Sequence, residues 1–103
     1  MKEDKLPFNS WSVRRINEGK KICTSRSRKY NDSRVYLILH LPLAVVREHL
    51  WAEEGADSPS EFEKVWRSIY RGKFDENKMV YVHFFFAGGE GMTSGRQKMC
   101  GAT

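Results

Sequence analysis

Trp11, Val13 and Ile16 recur at an imperfect helical spacing, with Arg14, Arg15 and Glu18 on the wet side. Asn9 or Ser10 suits the cap, and Gly19 suits the left-handed residue that ends such a helix. The pattern therefore predicts a helix over 10–18, preceded by a leader over 1–8 whose Pro7-Phe8 docks loosely on the core. A short strand follows at 22–26. Residues 27–33 are polar, and Asn31-Asp32-Ser33 carries turn chemistry. The run over 35–41 is apolar on both faces, which predicts an internal strand ended by Pro42.

Leu43, Val46 and Leu50 share one stripe, flanked by Val45 and Trp51, and predict a second helix over 43–54 closed by Gly55. Ser58-Pro59-Ser60-Glu61 combines a serine cap, proline at the first helical position and glutamate at the third. Phe62, Val65, Trp66 and Ile69 then fall at i, i+3, i+4 and i+7, so a third helix is expected over 59–70, stopped by Gly72. After a charged turn at 73–78, the segment 79–86 is a strand whose aromatics point both ways, which places it centrally. Five of the eight glycines lie in 87–103, and this polar stretch reads as a disordered tail.

A chain of 103 residues with 40% hydrophobic and 13% aromatic content is expected to form one domain with a core. It holds no run of about 18 or more apolar residues, which excludes a membrane span of the helical kind. The charged start Met1-Lys2-Glu3-Asp4-Lys5 leads into no apolar region, so no signal peptide is read. Cys23 and Cys100 make no disulfide framework and are expected to be free thiols in a reducing cytoplasm. His40, His49 and His83 show no ligand spacing, and no glycine-rich phosphate loop precedes a helix. Neither a metal nor a cofactor is expected.

Charge changes the picture more. Residues 14–34 hold eight basic and two acidic side chains, a net of +6 against +5 for the whole chain. Residues 43–70 hold three basic and six acidic ones, a net of −3. The basic cluster surrounds a turn and a strand, Gly19-Lys20-Lys21-Ile22-Cys23-Thr24-Ser25-Arg26, and not one exposed helix face. That arrangement suits an anionic partner, RNA or a nucleotide. Lys20, Lys21, Arg26, Arg28 and Lys29 are the candidate phosphate contacts. Tyr30, in a polar loop, is a candidate for stacking on a base. Trp11 and Tyr36 are divided between that role and the core.

Trp11-Ser12, Ile16 and Gly19-Lys20-Lys21-x-x-Thr24-x-Arg26 resemble the opening signature of the ASCH family. So do Leu41-Pro42-Leu43, Glu53-Glu54-Gly55, Ser58-Pro59-Ser60-Glu61-Phe62 and the closing Val80-Tyr81-Val82-His83-Phe84. The resemblance runs in order from about Leu6 to Phe86. It implies an α+β, PUA-like domain over 1–86, a small β-barrel or partly open sheet flanked by helices. Only three strands are legible, because Lys29-Tyr30-Asn31-Asp32-Ser33 leads almost directly into Val35. A closed barrel takes roughly five or more. An opened barrel, further strands within 27–34, or a sheet completed by a second chain in a homodimer are the alternatives.

The resemblance also implies a cleft in which Lys21, Thr24 and Arg26 meet Glu54. Two functions follow from it. One is binding of RNA or a nucleotide through the basic strand. The other is hydrolysis of an acylated nucleoside of the N4-acetylcytidine type. In that chemistry Lys21, disfavoured as a cation beside Lys20 and Arg26, takes the Thr24 proton and Thr24 attacks the amide carbonyl. Glu54 passes a proton to the leaving amine. Backbone N–H groups near Gly19 stabilise the oxyanion. The plainer alternative keeps the basic residues as phosphate contacts, Thr24 as a strand former and Glu54 as a helix-end carboxylate. A structural or accessory protein without a ligand is the third possibility.

Overall fold

A computed structural model describes residues 2–86. Its elements are α1 (Ser10–Asn17), β1 (Cys23–Arg26), β2 (Val35–Pro42), α2 (Leu43–His49), α3 (Pro59–Ile69) and β3 (Met79–Phe85). The expected 87–103 tail, with Cys100, lies outside the described residues. No described helix is long and apolar enough to cross a membrane.

Local chemistry sets most of the boundaries. Asn9 caps α1 by accepting from the Ser12 amide at 2.8 Å, and Gly19 follows with φ of 77°. Ser58 caps α3 by accepting from the Glu61 amide at 3.0 Å, with Pro59 opening the first turn. The second helix is shorter than the stripe suggests and ends at His49. Residues 51–55 continue as a chain of turns, in which Glu54 N–H donates to the Leu50 carbonyl at 2.9 Å and Ala56 N–H to that of Trp51 at 2.9 Å. Gly55 needs its φ of 100° to close this turn.

The strands form an open antiparallel sheet in the order β1-β3-β2. β3 is central, as its two-sided aromatics suggest. β2 is not the expected internal strand. It pairs only with β3 and is half exposed, with Tyr36 and Leu37 in solvent. Its apolar run serves an edge, bulged between Val35 and Leu37. The described residues form no closed barrel, and 27–34 adds no strand.

Residues opposite one another in an antiparallel pair share a face, so the register assigns the two sides. Cys23, Ser25, Val80, Val82 and Phe84 face α2 and α3, where Leu43, Val46, Phe62 and Trp66 complete the main core. Thr24, Arg26, Tyr81, His83 and Phe85 face the other way. The leader covers part of that side: Leu6, Ile16 and Phe85 form a second small core with Phe8, Tyr30 and Val35 against it. Buried Asp32 fixes the leader by accepting from the Leu6 amide at 2.8 Å across 26 positions of sequence.

Candidate binding cavity

β1 is an edge strand, so a ligand reaching its free side meets residues from both faces of the sheet. A cavity of about 520 Å³ lies there, within the usual range of small-molecule sites. The leader supplies Pro7 and Phe8, α1 supplies Trp11, and α3 with the turn after it supplies Trp66 and Tyr70. Lys21, Thr24, Ser25, Arg26, Tyr30 and Glu54 supply most of the polar and charged part of its lining, with Asn9 and Ser12 adding to it.

At the back of the cavity sits an ion pair. Lys21 and Glu54 are each 3% exposed. The Lys21 ammonium donates to Glu54 Oε1 at 3.2 Å and to the Glu54 backbone carbonyl at 2.9 Å. The other carboxylate oxygen accepts from Ser25 Oγ at 2.6 Å. Both carboxylate oxygens are thus engaged, which a buried charge requires. The turn over 51–55 brings Glu54 here because the Glu53 carbonyl accepts from Ile22 and Cys23 at 2.8 and 3.2 Å, docking the turn on the start of β1. Gly55 permits the approach: a Cβ at this position would lie 2.8 Å from Lys21 Cβ. Trp11 completes the surroundings, its ring centroid 5.9 Å from Lys21 Nζ.

Arg26 and Thr24 lie on the opposite face of the sheet and form a separate polar group. Arg26 Nη1 donates to Thr24 Oγ1 at 2.8 Å, and Nη2 donates to the Pro7 carbonyl. The guanidinium lies 5.5 Å from the Phe8 ring centroid, so Arg26 also ties the leader to the site. The Thr24 hydroxyl therefore accepts from Arg26, while the hydrogen bonds of Lys21 go to Glu54. The hydroxyl in contact with the buried pair belongs to Ser25. Strand alternation explains this division, and alternation with the Thr-x-Arg spacing could have pointed to Ser25, which the sequence reading passed over.

Lys21, Thr24, Arg26, Glu54, Tyr30 and Trp11 all line the cavity, whereas Lys20, Arg28 and Lys29 do not. Lys20 lies 3.8 Å from Asp57 and 4.0 Å from Glu18. Arg28 pairs with Asp4 at 2.6 Å and stacks 3.8 Å over the Tyr30 ring centroid. Lys29 is exposed, 5.9 Å from the centre of Tyr81. Five of the eight basic residues in 14–34 have an acidic partner: Arg15, Lys20, Lys21, Arg28 and Arg34. The surface is less cationic than the sequence suggests, because distant acids fold back onto the cluster. Tyr36 lies away from the cavity, its ring 4.7 Å from that of Phe86.

Two buried groups near the site have displaced protonation. Burial foremost pushes the Cys23 thiol up, with the Glu54 charge adding to it. Burial likewise pushes His83 down from its usual value, partly offset by the Tyr81 and Thr24 carbonyls. Among the described residues no three His, Cys, Asp or Glu side chains gather as a metal ion would require. No family model, curated protein or solved structure matches the chain.

Proposed function

We propose that this protein is an ASCH-type domain that binds a nucleotide, or one nucleotide of an RNA strand, in the cavity along β1. The observation that carries this reading is the joining of aromatic walls with Arg26 in one cavity of nucleoside size. Trp11, Phe8 and Tyr30 offer faces on which a base can stack, an interaction worth about 1–3 kcal/mol per base. Arg26 borders the cavity and suits a phosphate or a base edge. Because most of the surrounding basic residues are already paired, the reading favours a compact ligand over a long nucleic-acid track. Titration with nucleosides, nucleotides and short RNAs at two salt concentrations tests it. Arg26→Ala should weaken binding, while Lys64→Ala on α3 should leave it nearly unchanged. Equal losses in the two variants would remove the localised site.

A second reading has its own observation. A buried Lys–Glu pair touching a hydroxyl is an arrangement that can move a proton, and its cavity also holds the Thr24 hydroxyl. This favours hydrolysis of an acylated nucleoside with Lys21 and Glu54 as the proton-moving pair and Ser25, whose hydroxyl donates to Glu54, in the place expected of Thr24, which is bonded to Arg26 instead. Incubation with N4-acetylcytidine and detection of cytidine is the direct assay. Turnover that survives Lys21→Ala and Glu54→Gln would exclude this assignment of residues.

A further inference from the structure

Tyr30, one wall of the cavity, has its main chain held by a buried histidine. His83 is fully buried in the central strand, opposite Thr24. Its Nε2 lies 3.0 Å from the Tyr30 amide and its Nδ1 lies 2.9 Å from the Tyr81 carbonyl. One neutral tautomer satisfies both contacts: Nδ1–H donates to Tyr81, and Nε2 accepts from Tyr30. The Tyr30 and His83 rings meet edge to face with centroids 5.8 Å apart. A second proton on the imidazole would set two N–H groups against each other across the 3.0 Å contact and leave the part-buried Tyr30 amide without its acceptor.

We propose that His83 is the positioning residue for Tyr30, and that adding a proton to it releases this wall and weakens ligand binding in the cavity. The inference rests on the nucleotide-binding reading of the site. The groups facing the ring decide where the proton is taken up. β1 presents Arg26 and the Thr24 carbonyl, the 27–34 connection presents Asp32 and Tyr30, and β3 itself presents Tyr81. β2 presents the uncharged Ile38 across from His83. Burial is the largest influence and opposes the cation, as does Arg26, against the two carbonyls and Asp32. The neutral strut is the form held near pH 7, and release belongs on the acid side of an ordinary histidine titration. Release is local, because the neighbouring Asn31 carbonyl stays bound to the Asp4 amide at 2.8 Å and Asp32 to that of Leu6.

The test uses the full chain in solution and uridine as the probe, since uridine itself does not titrate between pH 5 and 8. Nuclear magnetic resonance follows the His83 ring and the Tyr30 amide across that range. The Tyr30 amide shift and its exchange protection should follow His83 with one midpoint, and uridine affinity should fall about tenfold through the same midpoint. His83→Gln has a side-chain amide that can accept from Tyr30 and donate to Tyr81. It should bind uridine at pH 7.5 with a flat pH profile. A Tyr30 amide indifferent to the His83 titration would overturn the proposal, and that wild-type measurement decides even if the variant does not fold. So would His83→Gln with the wild-type pH profile. A Tyr30 amide that follows His83 in a chain that binds no nucleoside or nucleotide at any pH would support the strut and remove the functional reading instead.

Discussion

Replacing Glu54 by alanine leaves the Lys21 ammonium with its chain carbonyl acceptor but without a counter-charge, in a place that water scarcely reaches. At the observed 3.2 Å separation, two unit charges in an effective dielectric of about 20 attract by about 5 kcal/mol. Desolvation offsets much of that gain when the pair forms, so the pair as a whole adds little net stability. Removing one member does not recover the desolvation of the other. The expected loss is about 3–5 kcal/mol, with a further contribution of about 1 kcal/mol from the Ser25 hydroxyl, which loses its acceptor. A domain of this kind has only about 5–15 kcal/mol in total, so Glu54→Ala should forfeit a large share of its stability. Glu54→Gln keeps an oxygen acceptor and should lose less. The double replacement Lys21→Met with Glu54→Leu removes both charges and should return to within about 1 kcal/mol of the natural chain. Urea denaturation followed by far-ultraviolet circular dichroism and tryptophan fluorescence measures the natural chain, these three variants and the single replacements Lys21→Met and Glu54→Leu. A loss under about 1 kcal/mol in Glu54→Ala, or a double variant as poor as the sum of the two single ones, would refute the account of the pair.

Three further outcomes are expected. Gly55→Ala combines a φ of 100° with a Cβ 2.8 Å from Lys21 Cβ. It should destabilise by more than about 1 kcal/mol and disturb ligand binding with it, which denaturation and titration read separately; an unaffected affinity would disconnect the turn from the site. Asp32 is held well below the usual carboxylate range by the Arg34 guanidinium foremost, with the Leu6 and Arg34 amides helping against burial. Its folded pKa is depressed, so its stabilisation is full above the unfolded value near 4 and is lost as pH falls below that. Asp32→Asn should flatten the acid limb of stability against pH and expose the leader to limited proteolysis. Cys23, buried and pushed upward in pKa, should resist alkylation by iodoacetamide at pH 8 until the chain is unfolded. Mass spectrometry of the Cys23 peptide checks this, and rapid labelling of the native protein would contradict the burial.

Why some of this was legible in the chain follows from how locally each feature is encoded. α3 could be read to within a residue because Ser58, Pro59 and Glu61 act within one turn and the apolar stripe repeats without interruption. β3 was placed centrally because both of its faces are apolar. β2 looked the same and is an edge. A run of apolar residues records burial of side chains, not the pairing of backbones, and Tyr36 and Leu37 remain exposed in it. The early end of α2 was hidden because residues 51–55 keep i to i−4 and i−5 hydrogen bonds after helical geometry has stopped. For the cavity, the resemblance brought together Lys21, Thr24, Arg26 and Glu54, and all four line it. It could not show that alternation along β1 sends Ser25 to Glu54 and leaves Thr24 with Arg26. The acids that neutralise Arg15 and Arg28 were also out of reach, since Asp57 and Asp4 arrive only through tertiary folding.

The central claim is that the cavity along β1 takes a base-bearing ligand. Mapping amide chemical shifts during titration with a nucleoside monophosphate addresses it most directly. The account predicts saturable shifts concentrated at Trp11, Thr24, Ser25, Arg26, Tyr30 and Tyr70, with Tyr36 and Met79 unmoved. Shifts scattered over the basic surface, or no saturable shift at the cavity residues with any nucleotide, would contradict it.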